Sequence, residues 1–498
     1  MKKALLSLFL LLLFSATTVE ASFTQIKTPV ISSLNSRVFS SDNDKLITLH
    51  LELDKADFYR IYNQYRQDLW ISAKILLESK NRVLVRLRLR GDSSRKLFKK
   101  SLKIALPKGV NLLSNSQILN LNAEVSDATF MRQYLATRLF QESGQTCFKT
   151  RHVLVNINDT LDGIYLWVEN LDKAFLKERK LDTNNFLYKA TRDGANLSLS
   201  DEPDKNWESK NGVEEVPLAE LKKLRIDINN VPDSLYYEWV RRTFDYDAMV
   251  NILSMNLLIS NSSTYYHNYY LYYDLASQKW QMWPWDLDKT FCLDKLDMHY
   301  HRGSHRERRS ASLPGNPILE RAIICAPIFR DIQKRTFELH KSIFNILHVG
   351  PMIDSLEKEL LPYVEHDTKC GQSLASFRNE VEGLRSFIVQ RYDSLKYQFD
   401  HFPTSFTIHR PKGSFKGDIR LTWDASIDPN GDDLRYNVQF CSDARFKGKI
   451  TYIKNLEKTT CIIGRNSLNP GKYYYKVSVS DGKHKVFGYD SCHSFKVK

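Results

Sequence analysis

The chain has 498 residues, enough for two or three folded units, because a single hydrophobic core usually stops growing at about 250 to 300 residues. Apolar, charged and aromatic fractions of 42%, 26% and 12% exclude disorder over most of its length. Its net charge of +14 suits anionic partners, but no zinc-finger, RNP or basic-zipper pattern accompanies it; the excess reads as a solvated face, and nucleic acid is not expected as a partner.

In chain order, the first signal is Lys2 and Lys3 ahead of an apolar run from Ala4 to Phe14, closed by Val19-Glu20-Ala21. This is the pattern of a secretory signal peptide over residues 1–21, cleaved near Ala21, and it predicts a secreted, periplasmic or cell-envelope protein. No later stretch is apolar for long enough to predict a transmembrane anchor. The seven cysteines lie beyond residue 21 and make no CxxC or Cys/His metal spacing, so disulfides are permitted but their pairing is open and at least one thiol is left over.

Residues 22–402 mix strands and helices. Val83 to Arg90 and Ser101 to Leu106 alternate as strands around a Gly91-Asp92 turn, and Asp127 to Ser143 carries apolar residues on one helical face. Val153 to Ile157 and Gly163 to Val168 flank Asn158-Asp159 as a hairpin, and a helix begins at Lys173. Long helices are predicted over Leu235 to Ile259, Asn316 to Ile346 and Ser373 to Phe399, with two short strands, Tyr269 to Tyr273 and Trp280 to Trp283, between the first two. A composition change at 403–415 marks a linker. Beyond it, over 416–498, short strands punctuated by Asp428-Pro429-Asn430-Gly431-Asp432, Asn469-Pro470-Gly471 and Asp481-Gly482 predict an all-β sandwich. LTWDASIDPNGDDLRYNVQF and LNPGKYYYKVSVSDG resemble a fibronectin type III domain, with Trp423 as core tryptophan and one of Tyr473, Tyr474 and Tyr475 at the tyrosine corner.

Six blocks carry a second resemblance: LRLRGDSSR (87–95), KKSLKIAL (99–106), DATFMRQYLATRLF (127–140), NINDTLDGIYLWVENLDKAFL (156–176), HNYYLYYD (267–274) and WPWDLDKTF (283–291). In this order they resemble the spore-coat-protein-H (CotH) kinase-like family, and the likeness runs on through NPILERAI (316–323) to FIVQRYDSL (387–395). The resemblance implies an α+β fold with an atypical, two-lobed protein-kinase-like domain. It also implies use of ATP and Mg2+ to phosphorylate serine or threonine on exported or cell-surface proteins.

Phosphoryl transfer needs positive charge on the phosphates, hard oxygen donors for magnesium and a group that orients the attacking hydroxyl. Within the resemblance, Asp286 with Asn268 implies the metal pair, Asp288 being auxiliary. Lys100 is the first and Lys103 the second candidate for the phosphate cation, with Arg90 and Ser94 in the block before them; Glu169 and Asn170 stand where a hinge would meet the adenine edge. The catalytic base should precede Asn268 by five positions, and that position is Ser263. A hydroxyl cannot replace the expected aspartate, and His267 is the nearby substitute. Slow transfer, nucleotide binding without transfer, and a different transfer reaction all stay open, as does a pseudokinase or envelope interaction protein. The segment Asp297 to Ser312, rich in histidine and arginine, reads as an exposed loop for an acidic or phosphorylated substrate.

Overall fold

The computed structural model describes residues 46–76, 82–211, 218–261, 263–299, 315–409, 411, 418–443, 446–464, 467–489 and 493–497. The signal-peptide segment, Cys492 and residues 300–314 of the basic loop lie outside the described residues.

Seven strands close into a barrel: β1 Ile47–Leu53, β2 Ile71–Leu76, β3 Arg82–Leu89, β4 Leu102–Ala105, β5 Ile118–Asn122, β6 Thr150–Ile157 and β7 Thr160–Val168, in the order β1-β2-β3-β4-β5-β7-β6. All pairings are antiparallel except β1 with β6, the parallel seam that shuts the barrel. Closure removes free edges, and period-two alternation sends Leu87, Leu89, Leu102, Ile104, Leu119 and Leu121 into one core. The β6–β7 hairpin turns on Asn158 and Asp159, both at positive φ (50° and 63°), a backbone that Asn and Asp tolerate best among residues with a Cβ.

Four more strands, β8 Phe186–Ala190, β9 Trp207–Ser209, β10 Tyr269–Asp274 and β11 Lys279–Pro284, form a second sheet in the order β11-β10-β8-β9. It packs with the helices in a larger core that includes Trp283, Leu258, Ile332 and Phe387.

The predicted long helices are broken where the chain demands it. Leu235 to Ile259 is two helices, Asp233–Thr243 and Tyr246–Leu258, because Asp245 breaks off the first and caps the second, accepting from Ala248 N. Asn316 to Ile346 is likewise split into Pro317–Ile324 and Ala326–Ser342, the second starting with Pro327 in its first turn, and a further helix follows over Ile346–Val364. The helix predicted from Asp127 starts only at Arg132, since the Asp127 carboxylate accepts from Thr129 N and Arg132 N and holds a turn ahead of it. The last helix, Leu374–His401, runs as predicted apart from its ends. Among the described residues no helix is long and apolar enough to cross a membrane.

Past the helices, β12 Ile408–His409, β13 Ile419–Trp423, β14 Arg435–Cys441, β15 Thr451–Leu456, β16 Thr460–Ile463, β17 Gly471–Ser480, β18 Lys485–Phe487 and β19 His493–Val497 form two antiparallel sheets around a separate core. Trp423 lies in that core, and of the three tyrosines Tyr475 is the one fully buried, its hydroxyl donating to His409 O at 3.2 Å. The sheets rest on the helical part: Thr407 Oγ1 donates to Asp233 Oδ2 at 2.9 Å, and the His484 ring stacks on Phe402.

Barrel and helices are joined by two ion pairs of opposite sense, the first buried and the second partly so. Lys99 Nζ meets Asp367 Oδ2 at 2.5 Å and also donates to Ile164 O, while Ile164 N donates back to the same carboxylate at 2.8 Å; both charged side chains are fully buried. Two residues on, Lys369 pairs with the buried Asp162, which also accepts from Tyr165 Oη at 2.6 Å. Gly163 (φ 129°) permits this approach, for a Cβ there would stand 2.3 Å from the Asp367 carboxylate. Lys99→Met strands a buried carboxylate, and a loss of about 3–5 kcal/mol in urea unfolding is expected. The double variant Lys99→Met/Asp367→Asn should recover part of it; a single-variant loss under ~1 kcal/mol would show the pair to be marginal.

Candidate active site

The cleft is built on the β10–β11 hairpin. Its register sets Tyr269 opposite Pro284, so Asn268 and the Trp285-Asp286 step are the first residues beyond the ladder on the two strands. That is why residues 18 apart in sequence meet: Asn268 Nδ2 donates to Asp286 Oδ2 at 2.8 Å. Asn268 (φ 62°) and Asp286 (φ 57°) both occupy the left-handed region, a cost of about 1 kcal/mol or more each that persists only where surrounding structure imposes it.

The loop before Asn268 is folded by Asn261. Its Oδ1 accepts from Ser263 N at 3.2 Å and Thr264 N at 3.3 Å, and its Nδ2 donates to Thr264 Oγ1 at 2.7 Å and Asn256 Oδ1 at 2.9 Å. Ser263 is therefore buried, and its hydroxyl donates to Asp286 O at 3.2 Å, tying the loop to the backbone of the aspartate. His267 points its Nδ1 at Asp193 Oδ1, 2.8 Å away, and burial pulls its pKa down to about 4, so the ring is neutral near pH 7.

The two candidate lysines part company. Lys100 donates to Arg95 O and lies over the Tyr62 and Tyr65 rings; none of these contacts reaches Asn268 or Asp286. Lys103, in β4 with Leu102 and Ile104 turned to the barrel core, faces the other way, across from Arg88 on β3. Burial first, then Arg88, Lys210 and Arg90, lower its pKa to about 8. From Lys103 a train of cations leads to the aspartate: Arg90 donates to Asn122 Oδ1 beside Asp286, and Lys189 lies over the Trp285 ring at 5.0 Å, its pKa lowered to about 8 by burial and by Arg90. Lys189 escaped the sequence reading, although a lone lysine in the apolar strand FLYKA was its signal.

The remaining candidates are braces. Ser94 lies against Gly91 (φ 91°), where a Cβ would stand 2.2 Å from its Oγ. Glu169 is buried and forked by Arg179 at 2.7 and 3.1 Å, and Asn170 links Asn120 to Asp172 at the end of β7. Arg132 makes an internal ion pair with Asp127 and reaches Glu380 at 2.7 Å. Fully buried Arg391 donates to Leu257 O at 3.0 Å and to Leu296 O and Met298 O, clamping the chain that follows Asp288.

Just past β5, Glu124 (φ 50°) is 6% exposed. Burial, then Asp288, Asp127 and Asp286, raise its carboxyl well above the ordinary range. Half-buried Asp288 is raised to about 8 by burial and by Asp286. Among the described residues no three His, Cys, Asp or Glu side chains form a ready-made metal cage. The oxygen donors of Asn268 and Asp286 nonetheless fit magnesium, which is commonly held by one or two carboxylates with water and substrate phosphates completing the shell.

The family model described as CotH kinase protein matches residues 87–395. Strands β1 and β2 precede the match, yet they complete the same barrel. The inner spore coat protein H of Bacillus subtilis is 27% identical over 350 residues, spanning 67% of this chain and 93% of that one. Among solved structures, the proinflammatory kinase CtkA of Helicobacter pylori aligns over 57% of this chain and 94% of its own, with 11% identity and a TM-score of 0.25. The HipA–HipB–operator complex of Shewanella oneidensis aligns over 54% of this chain and 60% of its own, with 13% identity and a TM-score of 0.19.

Asp288 keeps its proton in the folded chain up to about pH 8, whereas the unfolded chain loses it near pH ~4. Between these values the unfolded state binds fewer protons, so stability falls as pH rises. Asp288→Asn should flatten that fall and raise the melting temperature more at pH 8 than at pH 4; an unchanged slope in thermal scans contradicts the assignment.

Proposed function

The chain belongs to the CotH kinase protein family, and from that premise we propose that it is an exported phosphotransferase that takes ATP with Mg2+ and modifies serine or threonine of exported or cell-surface proteins. The single observation that carries this reading is the Asn268–Asp286 contact, an amide and a carboxylate brought side by side on left-handed backbone at the end of a hairpin. Asp286 and the Asn268 amide would hold the metal, and Asp288 would stay neutral behind them as a hydrogen-bond donor. Lys103, Arg90 and Lys189 would receive the phosphates, in place of a single lysine at position 100. Bound ATP and magnesium would supply the transferable phosphoryl group and its charge neutralisation. The backbone around Glu169 and Asn170 remains the proposed neighbour of the adenine edge.

Ser263 decides the rate. Its hydroxyl is committed to the Asp286 carbonyl and bears no charge with which to orient a substrate hydroxyl. Neutral His267, beside Asp193, is a nearby group able to accept a proton, and positioning with electrostatics can sustain slow transfer. The buried, hydrogen-bonded state of Ser263 also favours a second reading, a pseudokinase that binds nucleotide without transfer. We read residues 416–498 as a fibronectin type III-like module that spaces or binds, residues 403–415 as its linker and residues 1–21 as the export signal.

Transfer of labelled phosphate from ATP to added protein tests the proposal. Slow transfer by the wild type is expected, background levels in Asp286→Ala, and a gain of about 10²–10⁴ in Ser263→Asp. Transfer by Ser263→Asp alone selects the pseudokinase, and calorimetry that finds no binding of adenine nucleotide with magnesium overturns both. Because Lys103 sheds its charge as pH rises through about 8, nucleotide affinity should drop about tenfold above that pH, and Lys103→Met should be weak and flat across it.

A further inference from the structure

Glu124 is the cleft group that the proposed transfer does not use. It leaves β5 just after Asn122 at positive φ, a conformation that turns its side chain away from the regular strand alternation. The buried Gln133 amide then fixes it from two sides: Gln133 Nε2 donates to Glu124 Oε1 at 3.2 Å, while Gln133 Oε1 accepts from Leu287 N at 3.0 Å. One amide thus ties the carboxylate to the residue lying between Asp286 and Asp288. The second oxygen, Glu124 Oε2, is buried and has no hydrogen-bond partner. An orphaned buried acceptor is costly, more so when it carries charge.

The surrounding charges leave that oxygen unanswered. Arg132 pairs with Asp127 and Glu380, Arg90 donates to Asn122 and lies within electrostatic reach of both Asp286 and Glu124, and Lys189 and Lys289 lie near Asp286 and Asp288. Formal charge is therefore nearly balanced. What is missing is a partner for one particular oxygen, at a place where an oxygen-seeking divalent cation is already expected.

We infer that Glu124 is a further oxygen ligand of the divalent cation held by Asn268 and Asp286, positioned for it by Gln133. The inference rests on the reading of Asn268 and Asp286 as a cation pair. Two carboxylates and an amide make an open shell, with room for water and phosphate oxygens, and this suits magnesium or manganese better than a closed cage would. It also gives the cleft a carboxylate from the barrel side, so that cation binding would bridge the barrel to the β10–β11 hairpin.

The test is Mn2+ binding to the full chain, followed by electron paramagnetic resonance with and without ADP, for the wild type, Glu124→Gln, Glu124→Asp and Asp286→Asn. Glu124→Gln keeps the shape and the acceptor for Gln133, and it should weaken Mn2+ binding about tenfold or more without ADP. Glu124→Asp, one methylene short, should fall between it and the wild type and serves if the glutamine variant does not fold. Manganese should raise the melting temperature of the wild type by more than that of either variant. Wild-type affinity in both Glu124 variants, with loss in Asp286→Asn, would overturn the role of Glu124 and leave the cation pair standing. Failure of the wild type to bind Mn2+ with or without ADP would remove the cation pair itself and Glu124 with it.

Discussion

The buried pairing of Lys99 with Asp367 is the constraint on which the rest of the molecule depends. It spans 268 residues of sequence and joins the edge of β4 to the turn between the last two long helices. A charge so placed needs close hydrogen-bonding support, and here Ile164 contributes both its carbonyl and its N–H to the pair. Lys369 with Asp162 repeats the device with the signs exchanged, which makes the docking directional: a slip of the turn would set like charges together. The cleft is assembled from the two parts that this strap holds, Lys103, Arg90 and Glu124 from the barrel side and Asn268, Asp286 and Lys189 from the second sheet.

Strain is concentrated in the same place. Glu124, Asn268 and Asp286 all take left-handed backbone, and Tyr265 does so too. Each is held by side-chain amides, Gln133 for Glu124 and the Leu287 backbone, Asn261 for the loop around Ser263, and Asn268 for Asp286 itself. Amides can donate and accept at once without adding charge, so they can shape a site that is already crowded with carboxylates. Ser263 fits into this frame as one more brace, since its hydroxyl donates to the Asp286 carbonyl.

The C-terminal sheets contact the helical part at a few defined points. Thr407 reaches Asp233, the residue that also pairs with buried Arg321, and His484 packs on Phe402 at the end of the last helix while its Nδ1 meets Asp481 at 2.7 Å. Polar and aromatic contacts of this kind orient the sheets on the helical part without merging the cores, which remain separate clusters.

Much of this was legible in the residues. Alternation and turn chemistry place β3, β4, β10 and β11 to within about a residue and the β6–β7 hairpin with each strand three residues short at its start, because period two and an Asn-Asp turn are local properties. The adjacency of Asn268 and Asp286 followed from the block likeness and is realised by hairpin register, which is local as well. The apolar periodicity that predicts continuous helices gives way at Asp245 and Cys325, where a cap and a following proline break them. Lys103 lies in β4 opposite Arg88 while Lys100 precedes the strand and donates to Arg95 O, a difference that depends on the strand pairing. Lys189, Glu124 and the Lys99–Asp367 strap were decided by tertiary structure alone. Their partners lie on other elements, and no spacing along the chain encodes which distant group a buried charge will find.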